Sequence, residues 1–139
     1  MKLDRQYERF RGGPAKPSQE RIHVTINQKG VIYLNRNAHR LLGKPEATYL
    51  YFNRERDEIA IEPTNPRFAD AFPLKRNSQD TGYLIQANPV IRHFGIRLNG
   101  TNLFIDPQID QHGILHLKLA DIVQTSRLQR QRSRNKSDS

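Results

Sequence analysis

A strand, a short capped helix and a further pair of strands recur along this chain, and neither copy is large enough to bury a core alone. Leu41-Leu42-Gly43 and His93-Phe94-Gly95 lie 52 residues apart. The strands after them are offset by about the same amount. Each unit spans only about 45 residues, a size at which too little apolar surface leaves water. The two must pack on each other, on another copy of the chain, or both.

In the first unit, 21–63, Ile22, Val24 and Ile26 alternate with polar residues and predict a half-buried strand. Asn27 to Gly30 reads as a turn, and Val31 to Leu34 as a second strand. Asn35 can cap a helix over Arg36 to Leu42, because its side-chain oxygen accepts from free amides of the first turn. Ala38, Leu41 and Leu42 give that helix one apolar stripe, and Gly43 suits its end. Thr48 to Phe52 and Glu58 to Glu62 predict a hairpin stopped by Pro63. In the second unit, 82–126, Tyr83 to Gln86 reads as a strand. A helix follows, capped by Asn88, opened by Pro89 and closed by Gly95. Asn102 to Ile105 and Ile114 to Leu119 predict the second hairpin, and Ala120 to Leu128 a closing helical turn. Residues 64–81 read as a linker covering the core, with Phe68, Phe72 and Leu74 as anchors.

The net charge is +9 over 139 residues, and its location matters more than its sum. Residues 1–21 carry six cations against three anions, and 127–139 carry five against one. The segments 1–20 and 127–139 are therefore expected to be basic, disordered arms that can hold a polyanion by counterion release or simply keep the protein soluble. No run of about 18 apolar residues could span a membrane. The first residues lack the apolar stretch of a secretory signal. Cysteine is absent, which removes disulfides, thiolate catalysis and Cys-based zinc sites. A cytoplasmic location is the simplest expectation.

The run Gly30-Val31-Ile32-Tyr33-Leu34-Asn35-Arg36-Asn37-Ala38-His39-Arg40-Leu41-Leu42-Gly43, with the hairpin to Pro63, resembles the swapped-hairpin AbrB-like family. That family includes transition-state regulators, the MraZ and SpoVT regulators and MazE-type antitoxins. The likeness covers about 42 residues without a gap, and the tandem arrangement looks most like MraZ. It implies an α+β, mostly β fold: two tandem strand–short helix–hairpin units forming an intertwined small barrel. It also implies DNA binding, as a transcriptional regulator or antitoxin-like protein. The departures fall on the DNA-reading side. Val31 stands where a basic residue usually follows the turn glycine, Asn35 replaces the usual proline, and Asn37 replaces a glutamate. Lys29 and Arg40 keep the basic character of the turn and of the helix end.

Lys29, Arg36 and Arg40 on the turn and helix are thus candidates for phosphate contact, where they would position rather than read bases. Arg21, Arg11, Arg130, Arg132 and Arg134 extend the candidate set toward the arms. The bland alternative is a solvated helix face. Of the histidines, His112 and His116 are four apart, but the alternation after Gly113 favours a strand, where that spacing separates the side chains by about 13 Å. No metal site is expected, and His116 is expected on the solvent face of an edge strand. Asp106 and Asp110 match turn chemistry. No paired carboxylates, phosphate loop or nucleophile elbow is evident, so neither enzymatic activity nor a cofactor is expected. Tyr33, Tyr49 and Tyr51 are expected to pack rather than stack on bases. Exchanged hairpins leave edges unless partnered, so a homodimer is expected, with intrachain pairing of the units as the competing solution. The competing function is a protein-interaction or structural module that kept the fold without the DNA surface.

Overall fold

A computed structural model describes residues 21–125. The first strand pair is β1 (Val24–Asn27) and β2 (Val31–Asn35), joined by a turn that Asn27 builds. The Asn27 Oδ1 accepts from the amides of Lys29 at 3.0 Å and Val31 at 2.9 Å. Helix α1 (Arg36–Leu41) follows, then the hairpin β3 (Ala47–Asn53) and β4 (Glu58–Thr64), then β5 (Phe72–Arg76) and β6 (Gly82–Gln86). Helix α2 (Asn88–His93) leads to β7 (Thr101–Phe104), β8 (Gln108–Ile109), β9 (Leu115–Lys118) and β10 (Ile122–Gln124).

All ten strands join one sheet in the order β10-β7-β1-β2-β6-β5-β3-β4-β9-β8, and every pairing is antiparallel. The order interleaves the chain. The pair β1–β2 lies between β7 and β6, and the pair β3–β4 lies between β5 and β9. Each early pair is thus flanked on both sides by strands from after residue 70. The sheet curls into a half-barrel, and one face of it carries the core. Val24, Ile26, Ile32, Leu34, Ile59, Ile61, Ile85, Leu115 and Leu117 are all buried there. Those residues alternate along their strands, as period two requires. Ala38 and Leu42 of the α1 region and Ile91 of α2 join the same cluster.

The α+β arrangement of two equivalent units does not hold. Strands make up 44% of the described residues and helices 12%, so the sheet rather than a helix layer dominates. The second unit also lacks its hairpin. β7 pairs with β1 and β10, whereas β9 pairs with β4 and β8, near the opposite end of the sheet. The cause is local. Asp110 Oδ1 accepts from the amides of His112 at 2.8 Å and Ile114 at 3.0 Å, and Gly113 takes φ 77°. This tight turn gives β9 its own short partner, β8, and frees β7 for another. The segment 64–81, read as a linker, contributes β5 to the middle of the sheet. Phe72 and Leu74 anchor it against the core, but Phe68 is 53% exposed. In the segment 120–128, expected to be a closing helical turn, Ile122–Gln124 form β10 instead, and residues 126–128 lie outside the described residues.

Candidate nucleic-acid interface

Asn35 organises one end of the sheet. Its Oδ1 accepts from the amides of Ala38 at 3.0 Å and His23 at 3.1 Å, capping α1 as expected. Its Nδ2 donates to the Arg21 carbonyl at 2.6 Å. One amide thereby starts the helix at Arg36 and ties the chain at Arg21 beside it. Both residues line the same concavity, with Tyr33 and Thr81. The Tyr33 hydroxyl lies 3.0 Å from Thr81 Oγ1, joining this edge to the β5–β6 turn.

Across that turn stands Asp80, with φ 55°. Its carboxylate receives Arg36 at 3.1 Å and Arg76 at 3.9 Å, and its carbonyl also accepts from Arg36. These side chains are about two-thirds or more exposed, so the pairs orient the guanidiniums more than they stabilise the fold. Arg40 donates to Asn37 Oδ1 at 2.5 Å, one turn back along α1. The helix then ends through two residues at positive φ, Gly43 at 90° and Lys44 at 55°. Their amides donate to the carbonyls of Arg40 at 3.0 Å and His39 at 2.9 Å.

The result is a cleft of about 480 Å³ rimmed by Arg36, Arg40, Lys44 and Arg76, with Asp80 as the lone carboxylate in its lining among the described residues. Its floor is aromatic. The His39 ring stacks on Tyr83 with centroids 3.8 Å apart and planes 25° from parallel. His39 Nε2 lies 2.9 Å from the Pro45 carbonyl, which can only accept, so that nitrogen carries a proton. A rigid stack therefore supports a basic rim drawn from α1, the residue after its end, and β5. Counting the neighbouring Arg21, five cations gather on this face.

Of the sequence-derived candidates, Arg21, Arg36 and Arg40 come together. Lys29 does not. It sits in the β1–β2 turn, at the far end of β2 from Arg36, about 16 Å away along five strand residues. There its carbonyl accepts from Asn88 Nδ2 at 2.9 Å. Arg11, Arg130, Arg132 and Arg134 lie outside the described residues. Lys44 and Arg76 were missed. Lys44 carries a signal in retrospect, since the residue after a helix-ending glycine leaves the helix on the same side. Arg76 carries none without β5.

His116 departs from the expected edge position. β9 lies between β4 and β8, and the imidazole bridges two carboxylates. Nδ1 is 3.0 Å from Glu58 Oε2 and Nε2 is 2.8 Å from Asp110 Oδ2. Hydrogen bonds to Asp110 and then Glu58 raise the His116 pKa above 6.5. The same contact, with the Ile114 amide next, lowers Asp110 to about 2. When the ring is protonated, each nitrogen donates to one of the two carboxylates. Among the described residues no helix is long and apolar enough to cross a membrane.

No protein-family model matches the chain, and comparisons with curated proteins and with solved structures give no significant match.

Proposed function

We propose that this protein binds DNA through the phosphate backbone, in the manner of a regulator or antitoxin-like DNA binder. The observation that carries the reading is the gathering of Arg36, Arg40, Lys44 and Arg76 around one cleft whose lining holds a single carboxylate among the described residues. Surface charges of a soluble domain usually intersperse both signs, and a local excess of one sign concentrates counterions of the other. Guanidiniums offer forked donors that match phosphate oxygens. Arg36 and Arg76 are already aimed by Asp80, so a phosphate would replace one carboxylate by another anion.

This face positions a backbone and carries no evident base-reading element, so binding is salt-dependent and weakly selective. Full-length protein titrated with a short duplex by fluorescence anisotropy tests it. Four phosphate contacts predict a slope of log K against log salt near about −3.6, and each lost cation removes about 0.9. Arg40→Gln and Lys44→Gln should each flatten that slope, while Lys29→Gln should not. No binding at low salt, or a slope indifferent to Arg40 and Lys44, would overturn the reading.

One observation favours the interaction-module alternative. Tyr51 is 50% exposed and Phe68 53%, and Tyr49 joins them through ring contacts of 6.5 and 6.1 Å. The face they form is aromatic, with Glu62 accepting from the Tyr51 hydroxyl at 2.9 Å and Asp70 beside it, and exposed aromatic residues are enriched at protein-binding surfaces. Capture of a partner that Tyr51→Ser and Phe68→Ser abolish, with DNA affinity absent, would favour that alternative.

A further inference from the structure

Away from the basic cleft, a second concavity of about 370 Å³ opens where α2 meets the β3–β4 turn and the chain leading into β10. Its apolar lining comes from Phe52, Phe94, Ile96, Leu98 and Ile122, which are half-buried, and from Leu119, which is buried. The Phe52 and Phe94 rings lie 5.1 Å apart, inside the range of favourable aromatic contact. Single exposed apolar residues are ordinary, but several converging on one hollow are the usual mark of a ligand site. The volume lies toward the small end of such sites, which run from about 300 to 1,000 Å³.

Two arginines stand at this hollow, Arg54 and Arg97. Arg54 lies over the Phe94 ring, 5.3 Å from its centroid. Neither arginine has an ion-pair partner among the described residues. Asp57 also lines the hollow, at φ 52°, and its carbonyl accepts from the Leu119 amide at 2.9 Å. Among the described residues the charged groups are thus two cations against one anion, beside the Phe52 and Phe94 rings. A basic segment of this chain would meet like charge here, and a sugar-phosphate backbone would meet an apolar surface.

We propose that this hollow binds a small amphipathic monoanion, an aromatic or compact acyl carboxylate. Its apolar body lies against Phe52 and Phe94, and its carboxylate faces Arg54 and Arg97. The site is independent of the DNA-binding reading, since it shares no residue with the basic cleft.

Naphthalene-2-carboxylate and its neutral counterpart naphthalene-2-methanol, titrated separately into the full-length protein and followed by amide chemical shifts, test the proposal. The carboxylate should produce saturable shifts at residues 52–57 and 94–98, with the alcohol binding the same residues at least tenfold more weakly. Arg54→Gln and Arg97→Gln, both at exposed positions, should each weaken the carboxylate several-fold and leave the alcohol unchanged. Phe94→Ala should weaken both probes. Equal affinity for the two probes, saturable shifts elsewhere only, or wild-type carboxylate affinity in both arginine variants would overturn the proposal, and each of these outcomes is readable even if Phe94→Ala fails to fold.

Discussion

At the scale of single residues, His116 ties three segments together through charge. Its ring joins Glu58 on β4 to Asp110 in the β8–β9 turn. The imidazolium is stabilised in the folded state, so its contribution is complete below pH 6.5 and is lost as pH rises through the raised pKa. Asp110 works in the opposite direction. Its contribution is complete above pH 3.8 and is lost as pH falls through about 2. Thermal stability should therefore form a plateau between these limits and decline on the alkaline side. In His116→Gln the alkaline decline should flatten, as melting curves at pH 6 and pH 9 would reveal. Gly30 is a second residue with a definite requirement. It holds φ 79°, and a Cβ there would lie 2.8 Å from the Asn88 Cα. The Ala87 amide donates to the Gly30 carbonyl at 2.9 Å, so the β1–β2 turn and the start of α2 are in direct contact. Gly30→Ala should cost about 1–3 kcal/mol in chemical denaturation, because neither the backbone angle nor the approach tolerates a side chain.

At the scale of elements, α1 was legible and β5 was not, for reasons that differ in kind. α1 is set by local chemistry. Asn35 caps it, Ala38 and Leu42 face the core, and Gly43 ends it in the left-handed region. Each of those signals lies within eight residues of the next. Leu41 is the exception. It lies on the predicted apolar stripe yet is 44% exposed, because α1 turns Asn37, Ala38 and His39 inward instead. Asn35→Ala should destabilise by about 1–2 kcal/mol, because it removes the cap and the tie to Arg21 together. α2 shows the limit of the same logic. Asn88 was read as its cap, but its side chain reaches across to the Lys29 carbonyl instead. β5 depends on partners far away in sequence. Phe-Pro-Leu-Lys-Arg offers two apolar positions and a proline, a pattern that argues against a central strand. The structure accommodates Pro73 because β5 changes neighbour there. It pairs with β3 at Phe72 and Pro73 and with β6 from Leu74 onward. The same limit hid the basic cleft, since Arg36 and Arg76 meet only when β5 lies beside β6.

At the scale of the whole molecule, the interleaved strand order answers the problem posed by two undersized halves. The pairs β2–β6 and β1–β7 put residues of the second half on both flanks of the first hairpin. Among the described residues the two halves thus pair with each other within one chain. Because neither half owns a complete neighbourhood, residues 21–125 should unfold in a single cooperative step, with calorimetric and van't Hoff enthalpies equal. Two separate transitions would mean that the halves fold apart. The same interleaving places Arg36 and Arg40 from one half against Arg76 and Tyr83 from the other, so the proposed DNA-binding face exists only in the assembled sheet. The most direct test is a titration of isotope-labelled full-length protein with a short DNA duplex at low salt, followed residue by residue. Amides of residues 36–44 and 76–83 should shift together with one dissociation constant, while those around Lys29 stay in place. Shifts confined to one of the two segments, or centred on the β1–β2 turn, would contradict the account.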